Sequence, residues 1–166
     1  MIRMRALRYL ALVALVVWIG GLVTLGALVA PTAFDVVEAR HIESGRMLVG
    51  YLFGAIFERF HYVAYGAAAV LLLSLVARRL LGPKPVHFGI RVGVLGVMLA
   101  LTLYSGLVLT GQVERTQAEL GVPSSTLTAG DPGRARFERL HGLSVALAII
   151  TAAGGLLLLG YEAAEN

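Results

Sequence analysis

Four long stretches of this chain, residues 7–30, 60–77, 92–110 and 140–161, carry one charge among them, Arg8. Each approaches or exceeds the roughly 20 residues that a helix needs to cross a bilayer. Their Leu, Ala, Val and Gly lack the polar alternation of barrel strands, so helices are the spanning solution. The pattern predicts an all-α, polytopic membrane protein built as a four-transmembrane-helix bundle.

The polar segments between the runs carry the second signal. Phe57-Glu58-Arg59-Phe60-His61 returns as Phe137-Glu138-Arg139-Leu140-His141, each time just before an apolar run. The chain therefore reads as one membrane domain, 1–166, made of two parallel helical-hairpin repeats at about 7–81 and 86–161. Gly82-Pro83-Lys84-Pro85 is the breaker that divides them. A fainter echo sets Trp18-Ile19-Gly20-Gly21 beside Tyr104-Ser105-Gly106. Repeat logic places both Phe-Glu-Arg phrases at the entry to their spans. Residues 47–57 are then too short to span and predict an interfacial or re-entrant helix, with a longer second helix from about Ser44 as the alternative. The connection 112–136, rich in Thr, Ser, Pro and Gly, predicts an exposed, mobile loop, and the acidic tail from Glu162 a frayed end.

Composition agrees with a membrane chain. It is 58% hydrophobic and 14% charged, too few charges for a polar surface. The first run exceeds the apolar core of a signal peptide, and Pro31 would follow any cleavage at Ala30, so it is read as a retained helix. With no cysteine, disulfides, thiolate sites and cysteine nucleophiles are excluded. Net charge is +4, almost wholly from arginine, and the arginines sit at helix ends, where topology and lipid account for them. No nucleic-acid surface is visible. Basic residues divide evenly between the two sides, but Arg78, Arg79, Lys84 and Arg91 crowd one short hairpin. We therefore expect both termini inside, in a bacterial inner membrane; the arginine-rich, Ala/Gly/Val-rich usage suggests a GC-rich genome.

Candidate chemistry gathers at the repeated phrase. His61 and His141 fall at matching depths, with Glu58 and Glu138 one turn earlier at i−3. Paired imidazoles could ligate haem b axially or bind a transition metal, with the glutamates as further ligands. A di-iron carboxylate centre would need two more inward glutamates, which helices one and three lack. The plainer reading is that Glu-Arg-x-His marks the membrane boundary: arginine reaches headgroups and glutamate complements a helix N-terminus. His41 and His87 read as loop and interfacial residues. Trp18 and Tyr104 read as packing rings. Gly89, Gly93, Gly96, Gly154 and Gly155 read as close-approach positions or an oligomer seam. No nucleotide loop, nucleophile elbow or zinc-protease helix is present, and we read the protein as not an enzyme.

The stretch Phe137-Glu138-Arg139-Leu140-His141-Gly142-Leu143-Ser144 resembles the C-terminal signature of the transmembrane protein 205-like family. So do Trp18-Ile19-Gly20-Gly21, Ala30-Pro31-Thr32-Ala33-Phe34 and residues 45–57. The resemblance implies a four-helix membrane protein without an established activity; animal members are associated with platinum-drug resistance, which hints at metal handling. One departure is Ala148, where that family often has asparagine. Trp18-Ile19-Gly20-Gly21 is also faintly similar to copper-resistance membrane proteins of the D type. The function expected is a non-catalytic accessory or interaction protein, in contact with lipid and with other membrane subunits or a second copy. The alternatives are a haem- or metal-binding redox or transport protein and, third, a solute transporter.

Overall fold

The computed structural model describes residues 2–82 and 86–164. Pro83, Lys84 and Pro85 of the breaker, and Glu165 and Asn166 of the tail, lie outside the described residues. Four apolar helices dominate: α1 (Met4–Ala39), α2 (Gly45–Leu81), α3 (Phe88–Leu120) and α4 (Pro132–Ala164). There is no strand among the described residues. Helices α1 and α3 each pack against both α2 and α4, so α1 faces α3, and α2 faces α4, only across the diagonals.

Between 22% and 33% of each apolar window is buried inside the bundle. The remainder, including Leu73, Ile149 and Leu156, points outward, which water would punish and a lipid bilayer accepts. The inside is a seam of small and large side chains: Ala11, Leu15 and Trp18 of α1 meet Ala64, Ala68 and Leu71 of α2, closed by Leu95 and Met98 of α3 and Leu158 of α4. Trp18 is a packing ring at 1% exposure, whereas Tyr104 is 46% exposed and faces out. The glycines divide likewise. Gly154 and Gly155 lie under Met98 and Ile19, while Gly89, Gly93 and Gly96 of α3 face open space.

At the end holding both chain termini, one carboxylate joins all four helices. Glu162 of α4 accepts hydrogen bonds from Arg78 of α2 at 2.8 and 2.9 Å and from Arg91 of α3 at 2.7 Å. Arg91 also donates to the Tyr161 carbonyl at 2.9 Å, and its guanidinium lies 5.6 Å from the centre of the Tyr161 ring. From α1, Arg8 donates to the Glu162 backbone carbonyl. The side chains of Arg78, Arg91 and Glu162 are only 6%, 2% and 5% exposed. The tail expected to fray at Glu162 is instead the polar centre of this end. A lone carboxylate near a terminus looks solvated in sequence; buried guanidiniums draw it in, because a buried charge is tolerated only when paired and hydrogen-bonded.

Every helix is longer than its apolar run. At 1.5 Å per residue the 37-residue α2 is about 55 Å long, against a hydrocarbon thickness of about 30 Å. The excess lies at the end opposite the ion cluster, where the helices continue as arms. Residues 47–57 are thus not an interfacial or re-entrant piece but the first turns of α2, as in the alternative of a long second helix. No breaker interrupts 45–81, and Gly50 and Gly54 serve close approach: Gln117 and Glu114 of α3 lie against them. The expected loop 112–136 is likewise helical to Leu120. After a short 3₁₀ turn at Ser124–Thr126, α4 starts at Pro132. Asp131 caps it, accepting from Gly133 N–H at 2.8 Å and Arg134 N–H at 3.0 Å, with proline at the first turn where no N–H is needed.

Pro31 does not end the first helix either. The turn before it widens to a π segment, Thr24–Val29, in which Ala30 N–H bonds Leu25 O. That widening absorbs a residue which otherwise clashes with the carbonyl four positions back. A second π segment, Ser105–Leu109, interrupts α3 at a corresponding place.

Replacing Glu162 by Ala leaves two buried guanidiniums without this carboxylate. We expect a loss of about 3–5 kcal/mol of stability, read as a lowered unfolding midpoint in detergent, with Arg79→Ala as the exposed control. Equal midpoints for E162A and wild type would show that the cluster does not hold the bundle.

Candidate functional site

The repeated Phe-Glu-Arg phrase can be placed along the helices by counting from the ion cluster. Glu58 lies about 30 Å along α2 from Arg78, and Glu138 about 36 Å along α4 from Glu162, at 1.5 Å per residue. Both glutamates are exposed, as are Arg59 and Arg139. These charges therefore stand about one hydrocarbon thickness from the opposite end. In α4 the phrase falls in the second and third turns, near the helix start. In α2 it sits more than three turns inside a continuous helix, so the two copies share neither a helix start nor a common distance from the ion cluster.

The two histidines have different surroundings. His61 is half-buried, and its Nδ1 donates to the Phe57 carbonyl at 2.6 Å, which leaves Nε2 as the ring atom able to accept or ligate. Its ring lies against Gly106 in the π segment of α3, with Tyr65 beside it, ring centres 6.1 Å apart. The Tyr65 hydroxyl is buried and has no hydrogen-bond partner. His141 is exposed and stacks on Phe137, 6.0 Å between ring centres and 3° between planes. Glu138 is held by Arg134 at 2.7 Å. Among the described residues no three His, Cys, Asp or Glu side chains gather closely enough to hold a metal ion. The structure thus sets His61 against α3 and His141 in the arms, and it gathers neither glutamate into a shared cluster with them.

Around His141 the arms enclose a hollow of about 250 Å³. Phe34 of α1, Arg46 of α2, Gln117 of α3, Ser124 of the α3–α4 connection, and Phe137 and His141 of α4 line it. Arg46 bonds Glu38 and lies 5.7 Å from the centre of the Phe34 ring. A second, apolar hollow runs beside the first π segment, between Leu28, Val36 and Val49. The mixed hollow was not foreseen from sequence. Its residues are scattered over more than a hundred positions, and only the continuation of all four helices past the spans assembles them.

The family described as Domain of unknown function (DUF4149) matches residues 13–121. The match takes in α1 from residue 13 onward and all of α2 and α3, including Trp18, Arg78, Arg91 and the first Phe-Glu-Arg phrase, and stops before α4. No curated protein and no solved structure matches the chain.

The α2–α3 contact at the half-buried histidine can be tested directly. A Cβ at Gly106 would stand 2.6 Å from His61 Cδ2 and closer still to the Tyr65 hydroxyl. Gly106→Ala is expected to cost about 1–3 kcal/mol by overpacking, and the added change His61→Ala to recover part of it in a double-mutant cycle. Independent, additive effects on the unfolding midpoint would mean that the ring does not pack there.

Proposed function

Since the chain belongs to the DUF4149 family, whose domain has no established function, we propose that it is a non-catalytic accessory protein of the membrane that docks a partner on its arms. One observation carries this reading. On the α2 arm, Leu48, Tyr51 and Leu52 are 65%, 43% and 53% exposed, and their i, i+3, i+4 spacing puts them on one face. Leu48 lies about 45 Å along α2 from Arg78, beyond a hydrocarbon layer of about 30 Å. Lipid tails do not cover this stripe, and exposed apolar patches in a polar setting mark interaction sites. The partner is another membrane subunit or a second copy, for which the open Gly89, Gly93 and Gly96 face of α3 adds a close-packing surface within the bilayer. A bacterial inner-membrane location with both termini inside belongs to the same reading.

The narrower likeness to the transmembrane protein 205-like family, and the two-repeat origin of the domain, are part of the proposal. The π segments support the repeat: they open at Thr24 and Ser105, a separation within one residue of that between Phe57 and Phe137. A second reading, a haem- or metal-binding protein using His61 and His141, is favoured by the Nδ1 bond to Phe57. That bond sets the tautomer and orientation in which metal-ligating histidines are held.

Extraction from native membranes in a mild detergent should yield a defined complex heavier than the 17.6 kDa chain. The double variant Leu48→Glu, Tyr51→Glu should run as the monomer while still folding. A wild-type protein that is monomeric, with no stoichiometric second polypeptide, ends the docking reading. For the second reading, the purified wild type should show a Soret band or stoichiometric metal that both His61→Ala and His141→Ala lose; a colourless, metal-free wild type returns the histidines to boundary residues.

A further inference from the structure

The mixed hollow among the arms has a chemistry of its own, independent of partner docking. Its charged and hydrogen-bonding side chains are all able to donate: the Arg46 guanidinium, the His141 imidazole, the Gln117 amide and the Ser124 and Ser125 hydroxyls. No carboxylate lines it. Glu38 is bonded to Arg46 but is itself 69% exposed. A pair so exposed holds weakly, so an incoming anion can take its place on the guanidinium. Two aromatic rings, Phe34 and Phe137, are among its walls; the first lies beside Phe53 and the Arg46 guanidinium, the second beside the His141 ring. Donors without acceptor charge select an oxyanion, and flanking rings select an apolar body attached to it. The volume of about 250 Å³ suits a ligand of small-molecule size rather than a peptide. Gln117 lies about 39 Å along α3 from Arg91, which sets the hollow above the hydrocarbon layer, within reach of lipid headgroups and of water.

We propose that this hollow binds a phosphate ester of small size, its phosphoryl oxygens received by Arg46, His141, Gln117 and Ser124 and its apolar body seated between Phe34 and Phe137. The same chemistry is offered by the headgroup of an anionic phospholipid and by a free phosphate monoester.

The test uses the full chain in phosphatidylcholine nanodiscs, titrated calorimetrically with phenyl phosphate and, separately, inorganic phosphate. Phenyl phosphate should bind once per chain and more tightly than inorganic phosphate, which lacks the apolar body. Arg46→Gln should weaken it about tenfold or more, the scale of a lost charge-assisted hydrogen bond; Arg79→Gln, exposed at the opposite end, should not. Because the Arg46–Glu38 pair is exposed, R46Q is expected to fold; His141→Ala serves as the second variant. Repeating the titration in phosphatidylglycerol nanodiscs separates the sources: loss of the signal there assigns the site to a lipid headgroup, and its survival to a soluble ester. Absence of saturable binding in both disc types, with no difference in lipid retention between wild type and R46Q, overturns the proposal. So does phenyl phosphate binding that R46Q and H141A leave unchanged.

Discussion

One carboxylate held by buried guanidiniums sets the register of the whole bundle. Helices in lipid gain little from burying apolar surface against one another, because the tails outside are as apolar as the side chains inside. Packing of Ala, Gly and Leu along the seam brings helices close without specifying depth strongly. A charge cluster does specify it. Arg78 and Arg91 reach Glu162 from two helices, and Arg8 reaches its backbone from a third. Sliding any helix by one turn, about 5.4 Å, would break those bonds and leave buried charges unpaired.

From that common level the arms follow as a consequence. Helices of 33 to 37 residues that start together must project when the bilayer covers only about 20 residues of each. The projecting turns are not idle length. Gln117 and Glu114 pack on Gly50 and Gly54, Phe34 stacks on Phe53 with ring centres 6.4 Å apart, and Arg136 pairs with Glu119 at 3.2 Å. Each surface ion pair adds little alone. With the ring stack and the two glycine contacts, they keep the arms a packed head.

The four spans were legible because a run of apolar residues is a local signal that no tertiary contact reverses. What lay between them was harder to read, for a physical reason in each case. Pro31 signals a helix end, yet a π segment just before it lets the helix pass. Residues 47–57 look too short to span, which is true, but they belong to a helix that does not need them for spanning. Glu162 sits in a polar tail, and its partners lie 84 and 71 residues away, beyond any local pattern. The histidines of the repeated phrase stand out in the sequence itself. Their unlike neighbours could not be read, because Gly106 and Phe137 acquire meaning only when the helices are packed.

The two ends of the molecule differ in how their polar groups are used. At the terminal end, buried guanidiniums and a carboxylate are bonded to one another, and an aromatic ring, Tyr161, lies against Arg91. At the arm end, Arg46 is paired with Glu38 in an exposed contact and lies over the Phe34 ring, His141 is exposed, and α2 carries the exposed apolar stripe Leu48, Tyr51 and Leu52. A buried pair resists exchange, since a competitor must desolvate both charges; an exposed pair yields readily. Among the described residues the ion pairs with an exposed carboxylate, Arg46–Glu38, Arg134–Glu138 and Arg136–Glu119, lie at the arm end. The terminal end holds the register, and that rigidity keeps the arm residues, drawn from all four helices, in a common geometry.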